Sequence, residues 1–330
     1  MTIPWIHPGV AHRRATPRAL LLAMVLLAAV AGCASTPQGS APGSAPTAQQ
    51  SLQQPVGTTE ADWAGVATAL GRTGKLAQGV YRVPLPRSDL TVVSQGVAIK
   101  PGLSLGGYAA FARYSDTTMM MGDLVITEAE VPKVINALQT HGIAQTALHK
   151  HLLEQSPPVW WTHFDAMGDP VQIAQGLRAA LDATAIPPAA APPAQQPPID
   201  LDTAGIDTAL GRKGTADGGI DKFTLARKDT IEDQRHVLPA PFGVTTGINF
   251  QPVGGGKAAI NGDFVLTAPE VQKVIQALRA GGIDIVEVHN HMFTENPRLF
   301  YLHFWAVNDG VTLAKALRTA LDATNLQPAS

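Results

Sequence analysis

The chain has 330 residues, 45% hydrophobic and 15% charged, with a single cysteine and a formal net charge of −2. That apolar fraction supports real cores and excludes wholesale disorder, and the length fits one large or two ordinary domains. One cysteine excludes an internal disulfide and any multi-cysteine zinc or iron–sulfur site, and the lack of long basic runs argues against nucleic acid as a partner.

From the N-terminus, Arg13, Arg14 and Arg18 precede an uncharged apolar run over residues 19–31. A basic segment followed by a short apolar one is the order of an export signal, and this run is too short to span a bilayer as a mature helix. It ends Val30-Ala31-Gly32-Cys33, which resembles the lipobox of bacterial lipoproteins. The resemblance implies that residues 1–32 are a lipoprotein signal peptide and that Cys33 carries the lipid. Ala34 in place of an aspartate resembles the outer-membrane sorting class, so the expected location is the cell envelope, lipid-anchored on the periplasmic face of a membrane, with the outer membrane as the one the resemblance implies. Removing residues 1–32 takes away three arginines and no acid, which leaves 21 basic against 26 acidic residues and a formal charge of −5. Residues 33–58 hold no charge and are rich in Ala, Ser, Pro, Gly and Gln, which predicts a flexible tether.

Shifted by 140 positions, residues 60–184 align with 200–324 without an insertion: Leu70-Gly71-Arg72 meets Leu210-Gly211-Arg212, and Gly122-Asp123 meets Gly262-Asp263. The chain is therefore read as two tandem copies of one domain, residues 59–184 and 200–325, joined by a proline-rich linker at 185–199 of polyproline character. Within the first copy the pattern predicts a short helix over 61–70, then strands over 79–85, 90–99, 107–114 and 118–126. Thr127-Glu128-Ala129-Glu130 is a capping box, repeated from Thr267 to Glu270, and opens a helix whose apolar residues Val131, Val134, Ile135 and Leu138 share one face; Gly142 ends it. Strands over 145–153 and 159–166 follow, then a helix over 171–183 matched by 311–323. The order predicts an α+β fold in which each copy has an antiparallel or mixed sheet with helices on one face.

Six of the histidines form two matched trios: His149, His151 and His163, then His289, His291 and His303. On a strand, His149 and His151 share a face about 7 Å apart. A hairpin symmetric about Ser156 places His163 opposite His149, with Cβ atoms about 5 Å apart, and the same spacing about Asn296 pairs His303 with His289. Three imidazoles per copy would suit zinc or copper, with Glu154 or Glu295 as a catalytic base for a metal-bound water. Asp165 and Glu287 lie nearby, each in one copy only. Hydrogen-bonded structural histidines and metal-free acid–base or anion-binding work are the competing readings. Trp161 and Tyr301 can wall a pocket, stack on a sugar or fill a core. Gly122-Asp123 and Gly262-Asp263 read as strand bulges or backbone caps, with a ligand or base as the alternative for each aspartate, and Met119 to Met121 as core.

The segments Gly122-Asp123-Leu124-Val125-Ile126-Thr127, Leu148-His149-Lys150-His151-Leu152-Leu153 and Tyr301-Leu302-His303-Phe304-Trp305 resemble the LppY/LpqO family of bacterial envelope lipoproteins. The resemblance implies an exported, lipid-anchored protein with this domain in tandem, and no activity. The expected function is an envelope lipoprotein with a three-histidine metal site in each copy. The alternatives are a metal-free structural protein that contacts envelope glycan or a protein partner, and a metal-dependent hydrolase.

Overall fold

The computed structural model describes residues 51–189 and 195–328. The expected signal peptide, Cys33 and the tether up to residue 50 lie outside the described residues. A 3-10 turn at Glu60–Trp63 leads into α1 (Ala64–Leu70), β1 (Lys75–Ala77), β2 (Val80–Pro86), β3 (Val92–Ser94), β4 (Val97–Ile99), α2 (Pro101–Ser104), β5 (Gly106–Arg113), β6 (Thr118–Thr127), α3 (Val131–Thr140), β7 (Ala144–His149), β8 (Gln155–Ser156), β9 (Val159–Gly168) and α4 (Pro170–Asp182). The second copy follows with α5 (Thr203–Leu210), β10 (Thr215–Asp217), β11 (Ile220–Ala226), β12 (Glu232–Asp233), β13 (His236–Val237), β14 (Thr245–Gly254), β15 (Lys257–Thr267), α6 (Ala268–Ala280), β16 (Asp284–His289), β17 (Leu299–Asp309) and α7 (Gly310–Leu321). Each copy builds one six-stranded antiparallel sheet, β1-β2-β5-β6-β9-β7 and β10-β11-β14-β15-β17-β16.

The layering follows from the side-chain alternation of β6, which is buried from Thr118 to Ile126. Met120, Leu124 and Ile126 point to the helix side and pack with Leu70, Val134 and Leu177. Met119 and Met121 point the other way, into a cluster that includes Val265 and Tyr301 of the second sheet. A strand covered on both faces reads as a near-continuous apolar run, and this one does apart from Gly122 and Asp123. The second copy repeats the arrangement, with Ile260, Phe264 and Leu266 against Leu210, Val274 and Leu317. Helices therefore cover the outer face of each sheet, and the two inner faces meet in a seam.

Each copy also sends an arm over the other's sheet. The stretch expected as one strand over 90–99 is a hairpin, β3 and β4, turned by Gln95 and Gly96 at φ of 45° and 81°. With α2 it packs Leu103 and Leu105 against Ile220, Ala259 and Trp305. Lys100 N donates to Gln251 Oε1 (2.9 Å), and Gln251 Nε2 donates to Ala98 O (2.8 Å). In return the segment 231–244 packs Ile231, Leu238 and Phe242 against Ala110, Ala112 and Met119. There Tyr114 donates to Val237 O (2.6 Å) and Arg82 Nη1 to Pro241 O (2.5 Å). The exchange closes the described residues into one compact unit.

Two segments expected as linkers take part. Gln53, in the expected tether, pairs its backbone with Arg235 and Val237, and Val56 N donates to Arg113 O (2.7 Å). At the start of the proline-rich stretch Ile186 is buried in the first core, and Arg72 donates to Pro187 O.

Glu130 does reach back to Thr127 N (2.8 Å) as the capping box requires, and Glu270 to Thr267 N (2.7 Å). Both carboxylates have a second duty. Arg87, 1% exposed, donates to Glu130 Oε2 (2.7 Å), Asp89 and Val125 O, and Arg227 repeats this with Glu270, Asp229 and Val265 O. The other oxygen of Glu130 accepts from Ala185 N, where the chain leaves α4. Hydrogen bonds from Thr127 and Arg87 hold Glu130 below the usual carboxylate range against the opposing cost of its burial.

Candidate metal centre

His149 ends β7, His163 lies within β9, and His151 falls in the segment after β7 rather than on a strand. The register corrects the expected pairing: His149 faces Trp161, while His163 faces Ala147 on one side and Asp123 on the other. In the second copy His289 faces Tyr301, and His303 lies between Glu287 and Asp263. The reason is the return loop. It does not close a symmetric hairpin, because β8 leaves the sheet to pair with β3 of the arm, Val93 opposite Ser156. Glu232 and Asn296 form the matching bridge in copy two. A register irregularity between Gln145 and Ala147, and between Ile285 and Glu287, shifts both edge strands alike.

All six rings meet in the seam. His149 stacks on His289 with centroids 3.7 Å apart, His151 lies 3.7 Å from His303, and His163 lies 3.5 Å from His291. Equivalent pairs match: His149 to His163 and His289 to His303 are both 4.9 Å, and His149 to His151 and His289 to His291 are 4.8 and 5.0 Å. The seam thus carries a local twofold axis between His149 and His289. The expectation of one self-contained trio per copy is corrected accordingly. The two groups whose ligand atoms lie within 4.8 Å of one another are His149, His289 and His303, and His163, His289 and His291. Both mix the copies.

The tautomers are partly fixed. His303 Nδ1 donates to Gly262 O (2.9 Å), and the Gly122 backbone hydrogen-bonds His163 in the equivalent place. Nε2 of His163 and His303 is then the lone-pair nitrogen, and both are buried without a partner. So are Nδ1 of His149, Nε2 of His291 and both nitrogens of His289. Burial first, and the neighbouring rings second, hold these imidazoles neutral, with His163 pushed down to about 3. His303 falls to about 4 through burial alone. Neutral imidazole is the form that ligates, and a backbone carbonyl on the far nitrogen is the usual device for aiming such a ring. Buried polar atoms are rarely left unpaired, so this many unpartnered ring nitrogens gathered in one seam fit a cation. Imidazole donors without thiolate suit zinc or copper.

Asp123 and Asp263 belong to the same centre. Asp263 lies 3.7 Å from His291 Nε2 and 4.0 Å from His303 Nδ1. Burial lifts both carboxyls well above the usual range, and Asp123 is lifted further by Asp263. Of the readings the sequence offered for these aspartates, the strand bulge is corrected, because β6 and β15 pair regularly at both positions. The glycines serve another end: a Cβ on Gly122 would collide with the Phe164 ring, and one on Gly262 with Phe304. An acid at the same repeat position on the strand beside each second histidine was the available signal.

The proposed bases lie elsewhere. Glu154 is exposed, at φ 42°, and Glu295 is tied to Arg298 (3.0 Å) and Leu299 N (2.9 Å). Both are corrected as catalytic candidates, because neither carboxylate joins the histidine groups. Glu287 instead accepts from Lys150 N (2.7 Å) across the seam, and Asp165 is raised to about 6 by burial and Asp233. Trp161 and Tyr301 are fully buried and stack on His151 (4.3 Å) and His291 (3.2 Å), which removes them as a surface platform for a sugar. Met119 to Met121 are core, as expected.

A duplicated α+β unit with a shared histidine seam defines the class. The chain belongs to the family described as Domain of Unknown Function (DUF1259), whose model matches residues 64–183 and 204–323, one match in each copy. No curated protein matches the chain. Among solved structures it is similar to a double ringed trimeric shell protein of the RMM microcompartment, at 13% identity and TM-score 0.18, over 64% of this chain and 84% of that one. The trimeric bacterial microcompartment shell protein PduB matches at 14% identity and TM-score 0.20, over 77% and 91%. EtuB from Clostridium kluyveri matches at 12% identity and TM-score 0.19, over 76% and 91%. Likeness at these TM-scores carries no argument.

Proposed function

We propose that this is an exported, lipid-anchored envelope protein of the LppY/LpqO type that binds zinc or copper in the seam between its two copies. The observation that carries the metal reading is the set of buried, unpartnered ring nitrogens from both copies that gather into two groups in the seam. The anchor reading rests on the lipobox-like segment ending at Cys33 and on the basic and apolar order before it.

Elemental analysis of the full mature chain after repletion with zinc or copper at neutral pH tests the first part. About two equivalents are expected, one for each histidine group, with His289 bridging them as an imidazolate whose ring proton is released to solvent on loading. A metal-free protein would overturn the reading in favour of a structural histidine network. Membrane fractionation of Cys33→Ser tests the second: the variant is expected in the soluble fraction, and unchanged membrane association would remove the anchor.

A further inference from the structure

The centre is twofold in its histidines and one-sided in its surroundings. A cleft of about 740 Å³ opens on the side of His151 and His303, where Asn261, Asp263, Arg82 and Lys222 also line it. Neither His163 nor His291 lines it. Arg82 with Lys222, and Gly107 with Gly247, are equivalent pairs that line this one cleft, so it straddles the local axis, and what differs is the half on the side of His163 and His291, which the sequence fills. Three residues that line the open cleft are Gly102, Ser104 and Asn261. Their partners 140 positions away are Phe242, Val244 and Met121, all buried in one apolar cluster with Met292 and Tyr301. Small and polar groups on one side thus stand where bulky apolar ones close the other.

The two histidine groups divide along the same line. His303, in the first group, lines the cleft; none of His163, His289 and His291 does. Resting on the metal reading above, we propose that the ion held by His149, His289 and His303 keeps an open coordination position for a small anionic ligand entering through this cleft, while the ion held by His163, His289 and His291 is sealed. Both groups supply three imidazoles, so access to the fourth position, and not ligand number, separates the exchangeable ion from the sealed one. The cleft has the size of a small-molecule site. The anion is selected by the cation together with Arg82, whose guanidinium lies 3.4 Å over the Tyr108 ring at the cleft wall. Lys222 also lines the wall, paired to Asp217 (2.7 Å).

The test uses the full mature chain loaded with cobalt(II) and titrated with azide, read by visible absorption and by metal content. In the parent, azide is expected to change the bands of one ion of the two. Gly247 lines the cleft and a Cβ there meets nothing within 4 Å, so Gly247→Phe can be placed without displacing the backbone and directs a ring into the cleft. This variant and Gly102→Phe are expected to keep both ions and to weaken azide binding by about tenfold or more. Azide that leaves the parent spectrum unchanged, that perturbs both ions alike, or that binds both variants as it binds the parent would overturn the proposal while leaving the metal reading intact. A parent that takes up no cobalt would overturn both.

Discussion

In a His289→Ala variant both ions are expected to be lost together, because His289 alone is shared by the two ligand groups. His149→Ala and His163→Ala each remove a ligand from one group and are expected to leave one ion in place. Structural zinc binding is worth about 10–16 kcal/mol, so one of three ligands carries at least about 3 kcal/mol, on the order of a hundredfold in affinity or more. Competition against a chelator of graded strength, with metal counted by elemental analysis, resolves a step of that size. His141, exposed at the end of α3, is the control, and its alanine variant is expected to hold both ions. The sharing of His289 is refuted if its removal costs no more metal than removal of His149.

The second large effect is in stability. Arg87→Met removes the guanidinium that bonds Glu130, Asp89 and Val125 O and leaves the largely buried carboxylate of Glu130 without its counter-charge. Breaking a buried pair from one side costs about 3–5 kcal/mol, far more than a surface bridge of about 0–1 kcal/mol. Arg227→Met is expected to cost the same, since Glu270 and Asp229 repeat the geometry. Urea unfolding at pH 7 measures both. A loss below about 1 kcal/mol in either would show that the network is worth no more than an exposed pair.

Local signals carried the helices: the capping boxes, the spacing of Val131, Val134 and Leu138, and Gly142 at φ 68° all appear where the periodicity puts them. The repeat carried the doubling of the sheet and helices. What sequence did not carry is whatever depends on one copy touching the other. Symmetric closure of residues 149–163 seemed the simplest hairpin, but β8 is drawn away by the arm, and the register moves by two residues so that Trp161 takes the place expected for His163. The trios were legible as residues and illegible as groups, since packing about a twofold axis brings His149 against His289 rather than each histidine against its own chain neighbours. Arg87 has no partner within local range apart from Asp89; its tie to Glu130 spans 43 positions and needs the sheet to be known first.

The exchange of arms within one polypeptide has a consequence for symmetry. In a homodimer of a single copy, each substitution would occur on both sides of the axis, and the seam would come apart on dilution. Here the partner is tethered, so assembly is independent of protein concentration, and the halves are free to diverge. Phe242 stands against Gly102 and Met121 against Asn261, differences that no pair of identical chains can hold. One gene product thereby has what otherwise takes two: a matched set of ligands inside an unmatched pair of walls.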